Sequence, residues 1–311
     1  MFQRAVVIRR VITEVFEMYY RKSASVVACV ISIALFLVLS GCSRQSTQTS
    51  MIQIKGSDTM VNLGQAWAEA YMKTHPGVNV AVTGGGSGTG IAAMIDGRTD
   101  IAESSRQMKP EEVSLAKKHG VNPVEHVVAI DALSVIVHPS NPVGKLTISQ
   151  LSDIFTGRIT NWKQVGGKDE KIVILSRDRN SGSHVFFLEH VVRKGNEKGP
   201  EEFAKTAIMA PSSESIASQV ATDRGAIGYV GLGYVDPSKH KTIAVANNPS
   251  GPFVSPSIKT AQDGTYPIAR PLYWYTKGEP VGEIKSFLEY VKSPEGQRIV
   301  SELGFAPIKN P

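Results

Sequence analysis

The chain has 311 residues, 41% hydrophobic and 20% charged, an ordinary globular balance that excludes a disordered chain, a collagen and a disulfide-stapled miniprotein. Only one hydrophobic run is long enough to set against a membrane, so a polytopic transporter is excluded too. Of the formal charge of +6, a net +3 sits in residues 1–41 (Arg4, Arg9, Arg10, Arg21 and Lys22 against Glu14 and Glu17), and the small remainder gives no argument for nucleic acid.

Residues 23–39 (SASVVACVISIALFLVL) follow Arg21-Lys22 and precede Ser40-Gly41-Cys42. A cationic start, an apolar core and small residues before a cut make residues 1–41 a secretion signal. Its densest apolar stretch, residues 26–39, would reach about 21 Å as a helix, short of the roughly 30 Å hydrocarbon core. Leu39-Ser40-Gly41-Cys42 resembles the bacterial lipobox, which implies a diacylglycerol on Cys42 and cleavage before it. The alternative is an uncleaved anchor; both put the globular part outside the membrane. Met18 would give a signal of more usual length than Met1. Cys29 lies inside the signal, so a mature chain keeps only Cys42 and has no thiol for a metal, a disulfide or nucleophilic catalysis. Residues 42–50 are polar and aperiodic and are expected to be a flexible tether.

From Met51 onward, strand and helix signals alternate. Residues 52–55 predict a strand, and a helix is expected from Asp58 or Thr59 towards His75, with Leu63, Trp67, Ala70 and Tyr71 on one face. Val78, Val80 and Val82 alternate as in a strand. A glycine-rich loop over 84–90, a helix over 91–95 and a short strand over 100–103 follow. Pro110 opens a helix, with Glu111 and Glu112 near its positive end. The alternation argues for α/β layers with a largely parallel sheet.

Residues 127–138 (VVAIDALSVIVH) predict one long strand leaving a first lobe, with Pro139-Ser140-Asn141-Pro142 as its exit. Residues 268–276 (IARPLYWYT) have a similar character and suit the return. Between them lie helices over 149–155, 183–192 and 213–222 and strands over 172–175 and 226–230; helices over 281–291 and 294–303 come last. The expected fold is α/β with two lobes joined by two crossover segments. Residues 51–138 with 240–311 form lobe 1 and residues 139–239 form lobe 2, with a ligand cleft between them. Trp67, Trp162 and Trp274 are expected in core or hinge packing.

Three clusters rich in hydroxyls and glycine stand where strands end and helices begin: Gly56-Ser57-Asp58-Thr59-Met60, the run Gly84 to Gly90 around Ser87, and Arg177-Asp178-Arg179-Asn180-Ser181-Gly182-Ser183. Ser104-Ser105-Arg106 follows its strand in the same way. Such loops line the crevice of open α/β sheets, and helix N-termini offer unpaired N–H groups that bind anions. Hydroxyls donate, and an arginine fork suits phosphate or carboxylate. Each cluster alone is equally readable as helix capping. Five glycines in seven residues, however, are costly in chain entropy.

As a set and in this order, the clusters resemble the phosphate-binding lipoprotein of bacterial ABC phosphate importers. So do residues 100–106 (DIAESSR), 151–157 (LSDIFTG), 159–162 (ITNW) and 225–229 (GAIGY), and the likeness covers essentially residues 52–308. The resemblance implies a type II periplasmic-binding-protein-like fold that closes on a hinge without catalysis. It implies phosphate contacts from Thr59 and the Met60 amide, from Ser87, and from Arg177, Ser181, Gly182 and Ser183, with Ser57 and Asp58 beside them. Some members carry an aspartate where this chain has Ser105. That carboxylate accepts the proton of hydrogen phosphate and repels sulfate. Asp58 is the candidate replacement, or else a helix N-cap.

Enzyme readings find little support. Gly-x-Ser-x-Gly and Walker Gly-Lys-Ser/Thr are missing from the sequence. His184 follows the Ser181-Gly182-Ser183 loop, but a capping or packing role suits it better than a hydrolase base. His184 and His190 are six apart, a poor fit to one helix face, so no metal is expected; no cofactor is called for either. The expectation is a monomeric, lipid-anchored, outward-facing binding protein delivering inorganic phosphate to an ABC permease. The alternatives are a sulfate or molybdate binder, or an extracellular phosphohydrolase.

Overall fold

The computed structural model describes residues 50–309 together with Glu14 and Met18. Apart from those two residues, the expected secretion signal, Cys42 and almost all of the expected tether lie outside the described residues. The described residues from 50 onward form one compact unit.

The chain first lays down β1 (Ser50–Gly56), β2 (Val78–Thr83), β3 (Ile101–Ser104) and β4 (Val124–Ala132). In β1 the side chains alternate, with Ile52 and Ile54 buried and Met51 and Gln53 exposed, as a half-buried strand requires. The chain then changes sheets. β5 (Ser134–Val137), β7 (Val173–Arg177), β8 (Ile208–Ala210), β9 (Ala226–Val230) and β10 (Lys241–Thr242) form the second sheet; β6 (Lys145–Thr147) and β11 (Ala244–Ala246) pair beside it, and β12 (Ala269–Thr276) returns to the first. The sheet orders are β2-β1-β3-β12-β4 and β10-β5-β9-β7-β8.

Both sheets are mixed rather than largely parallel. β1, β2 and β3 run parallel, as do β7, β8 and β9, but β12 is antiparallel to both its neighbours and β5 to both of its own. The reason is topological. β4 leaves the first sheet at Ala132 and β12 re-enters it opposite, at Ala269, so exit and return run side by side in opposite directions. The expected single strand over 127–138 is likewise two strands in two sheets. The chain crosses at Leu133; by the expected boundaries at 138/139 and 239/240, β5, β10 and β11 fall in lobe 1, but β5 and β10 pair in the second sheet and β11 pairs with β6.

The helix Val61–Thr74 buries Leu63, Gly64, Trp67, Ala68 and Tyr71. Trp67 donates to the Gly296 carbonyl at 2.8 Å and meets Trp274 edge-on at 5.4 Å. Trp162 anchors the second lobe through a 3.0 Å bond to the Gly225 carbonyl, and Phe155 and Phe187 pack on Tyr229. The helix after β2 starts at Ser87, earlier than expected, and so contains Gly90. A Cβ at Gly90 would lie 2.2 Å from the Lys55 carbonyl, so helix and strand approach closer than any side chain permits.

Glu103, on β3, is fully buried. Its Oε1 accepts from Trp274 Nε1 at 3.0 Å, and its Oε2 has no partner. Burial pushes this carboxyl up to about 8. A folded-state pKa raised above the unfolded value adds stability below pH 4.5 that is lost as pH climbs towards 8. Glu103→Gln should therefore melt progressively above the wild type between those pH values, gaining up to about 1.4 kcal/mol per pH unit crossed. Parallel melting curves for the two proteins from pH 5 to 9 would refute a buried neutral carboxyl.

Candidate functional site

Ser57, Asp58, Thr59 and Met60 follow β1, Ser87 opens the helix after β2, and Ser105 follows β3. All stand at the carboxyl ends of parallel strands, where an open α/β sheet has its crevice. The second lobe contributes Arg177 at the end of β7, and Ser181, Gly182 and Ser183 at the start of the helix Gly182–Phe187.

The two sets meet across the cleft. Thr59 Oγ1 lies 2.9 Å from Ser183 Oγ, and Gly88 N–H donates to the Asn180 carbonyl at 3.0 Å. A Cβ at Gly182 would fall 2.3 Å from Ser87 Oγ and 2.6 Å from Ser105 Oγ, so the backbone of lobe 2 rests directly on two hydroxyls of lobe 1. Ser87 Oγ accepts the Ser105 amide at 3.0 Å and lies 3.4 Å from Ser105 Oγ. Ser57, Thr59, Ser87, Ser105, Ser181 and Ser183 are all buried.

Arg177 is 1% exposed and makes four side-chain hydrogen bonds, leaving one Nη1 donor. It donates to Ser213 Oγ at 3.1 Å, to the Pro211 carbonyl at 2.9 Å, to the Ala210 carbonyl at 3.3 Å and to Asp58 Oδ2 at 2.7 Å. Asp58 Oδ1 accepts the Gly85 amide at 3.0 Å. Asp58 is thus no N-cap. The helix begins at Val61, two or three residues later than expected, behind Met60, and has no side-chain cap bond. The carboxylate instead ties the glycine loop of lobe 1 to the arginine of lobe 2. The Met60 amide donates to the Ser57 carbonyl at 3.0 Å, and Ser181 Oγ caps its own helix by accepting the Ser183 amide at 3.2 Å.

Sequence reasoning missed four residues. Arg270 donates to Ser183 Oγ at 2.8 Å, Asp131 pairs with Arg270 at 3.0 Å, Ser213 holds Arg177, and the Tyr234 hydroxyl donates to the Asp58 carbonyl at 2.7 Å. For two of them a signal existed: Asp131 and Arg270 are the lone formal charges in the two apolar runs of the crossing. Arg106, by contrast, turns to Glu112 at 2.6 Å and lines an interlobe groove of about 830 Å³ with Lys109, Phe186, His190 and Arg270. His184 lies within the lobe, 3.3 Å from Ser176 Oγ and against Phe203; burial holds its pKa down to about 4, leaving it neutral.

Two lobes that bring hydroxyls together across a cleft and pair a buried arginine of one with a carboxylate of the other have the form of a hinged binding protein. Residues 43–295 match the PBP superfamily domain. The phosphate-binding protein PstS of Bacillus subtilis is 34% identical over 261 residues, 83% of this chain and 80% of that protein. PstS of Pseudomonas aeruginosa is 32% identical over 270 residues, 81% of each. A structure from Clostridium perfringens, described as a phosphate ABC transporter substrate-binding protein with bound phosphate, superposes with a TM-score of 0.74 at 32% identity, covering 84% of this chain and all (100%) of that one. An ABC-type phosphate transport receptor from Vibrio cholerae gives 0.66 at 30% identity, covering 82% and 99%. The chain belongs to the PBP superfamily and, within it, to the family of the PstS proteins.

Removing the Asp58 charge should leave Arg177 buried without a countercharge. Because Asp58 is 17% exposed, the cost falls below that of a fully buried pair. Asp58→Asn is expected to lower stability by roughly 1–3 kcal/mol in urea unfolding. A capping role predicts almost no change, since Asn caps as well as Asp.

Proposed function

We propose that this chain binds inorganic phosphate in the closed interlobe cleft and delivers it to the permease of an ABC-type importer. It does so outside the membrane, held there by a lipid on Cys42. The observation that carries the reading is that hydroxyls of Thr59, Ser87 and Ser183 meet where the lobes touch, while the buried Arg177 of lobe 2 reaches Asp58 of lobe 1. An anion removed from water needs a donor for every oxygen lone pair it exposes. Hydroxyls, the backbone at Gly182 and a guanidinium supply such donors, and charge-assisted bonds are the strong ones. Because neither lobe holds all of them, phosphate favours the closed form by bridging both.

The relatives named as binding proteins favour transport over catalysis, and His184, neutral and turned to Ser176 and Phe203, is no general base at the cleft. Ser105 and Asp58 would meet the ligand's own proton. Their environment makes the comparison with sulfate and molybdate the informative one.

Calorimetric titration of the detergent-solubilised chain with phosphate, sulfate and molybdate tests the reading; tighter binding of either of the latter would replace phosphate as the ligand. Gly182→Ala gives a sharper check. Its Cβ would collide with Ser87 and Ser105 only when the lobes meet. The variant should melt near the wild type yet bind phosphate at least about tenfold more weakly. Undiminished affinity would place the ligand elsewhere.

Attachment has its own test. Cys42→Ala should move the protein from the membrane fraction to the soluble one with phosphate affinity unchanged. A variant that stays membrane-bound would refute the lipid anchor.

A further inference from the structure

The two segments on which the lobes turn carry a buried ion pair that faces the cleft. Arg270 on β12 and Asp131 on β4 are direct register partners, one residue from the pair Ala132 and Ala269 where the chain crosses. Arg270 Nε and Nη2 both donate to Asp131 Oδ2, at 3.2 and 3.0 Å. Both side chains are essentially inaccessible to water, at 1% and 0%.

The pair is more than a brace within lobe 1. The remaining Arg270 donors reach both sides of the cleft: Nη1 to the Ser105 carbonyl at 3.0 Å, and Nη2 to Ser183 Oγ at 2.8 Å. Its guanidinium also stands 5.4 Å from the Phe186 ring of lobe 2. The other oxygen of Asp131 accepts the Leu232 amide, just past β9, at 3.0 Å. The bond to Ser183 crosses the cleft and exists only when the lobes meet, whereas the bond to Leu232 ties β4 to the chain just past β9.

One of these bonds also decides which way a ligand hydroxyl points. Ser183 Oγ has a lone pair occupied by Arg270, so its own proton is directed away from the guanidinium, free for Thr59 Oγ1 2.9 Å off, which can itself donate, or for a group in the space between the lobes. An anion there meets Ser183 as a donor.

We infer that Arg270, held by Asp131, is a positioning residue of the anion site and the latch that makes lobe closure and anion retention one event. This rests on the phosphate reading of the same cleft. A buried ion pair by itself contributes little to stability, and a neutral pair of similar size replaces it at small cost, whereas removing one partner is severe. The test variant is therefore the double change Arg270→Gln with Asp131→Asn, which retains size and a hydrogen bond and removes both charges.

The full chain in detergent is followed by stopped-flow phosphate release and by amide hydrogen exchange in the segment containing Leu232. The double variant should melt close to the wild type, release phosphate at least about tenfold faster with the association rate little changed, and exchange the Leu232 amide faster with or without phosphate. Arg270→Lys keeps Asp131 paired but cannot span three acceptors with one point charge, so it should fall between the two. If the double change unfolds the protein, the lysine variant decides with the same readouts. Wild-type release and wild-type protection of Leu232 in a folded variant overturn the inference. Failure of the wild type to bind phosphate overturns the functional reading instead, and Leu232 exchange still reports whether Arg270 holds the lobes together.

Discussion

A guanidinium out of water must be paired, and the cleft contains two of them. Arg177 belongs to lobe 2 and finds its carboxylate, Asp58, in lobe 1. Arg270 belongs to the crossing itself and finds Asp131 on the adjacent strand. The first pair exists only when the lobes meet; the second is permanent but sends its spare donors to both sides. Desolvating the arginines is costly, so the closed arrangement is retained only where geometry satisfies nearly every N–H. Arg177 illustrates this with two carbonyls, a hydroxyl and a carboxylate around one side chain. Each positive charge is matched, so an added anion is held by oriented donors more than by net charge.

The alternating pattern of short apolar runs and amphipathic helices was enough to show α/β layers and two lobes. It also located the loops of the cleft, because strand-to-helix junctions with Ser, Thr and Gly are local features. Local signals stop there. The antiparallel placement of β12 and β5 depends on which strands meet after roughly 90 to 140 residues of intervening chain, and no periodicity encodes that. The short strands β6, β8, β10 and β11, of two or three residues, are too brief to show a period at all.

Asp58 shows the same limit at the scale of one side chain. Its position before a helix made a cap the natural local reading, and its place in a ligand loop made a proton acceptor the alternative. Its partner is 119 residues away, in the other lobe. Arg270 and Asp131 were legible in principle, since a single charge in an apolar strand needs a buried partner. Each run supplied one charge of opposite sign, and pairing them needed only the assumption that exit and return strands are neighbours.

Glycine supplies the last step. Gly90 lets the helix after β2 settle against the Lys55 carbonyl, which brings Ser87 at that helix's first turn down onto the strand ends. Gly182 then lets the lobe 2 helix come down on Ser87 and Ser105. These two missing side chains set how closely hydroxyls from both lobes approach one point. A methyl group at either would push the hydroxyls apart by about 1 Å, and hydrogen bonds weaken steeply over that range. The arginines supply charge and orientation, but they act across a gap whose width is fixed by backbone contact. The glycine run that looks wasteful in chain entropy is therefore part of what brings the hydroxyls of the two lobes together.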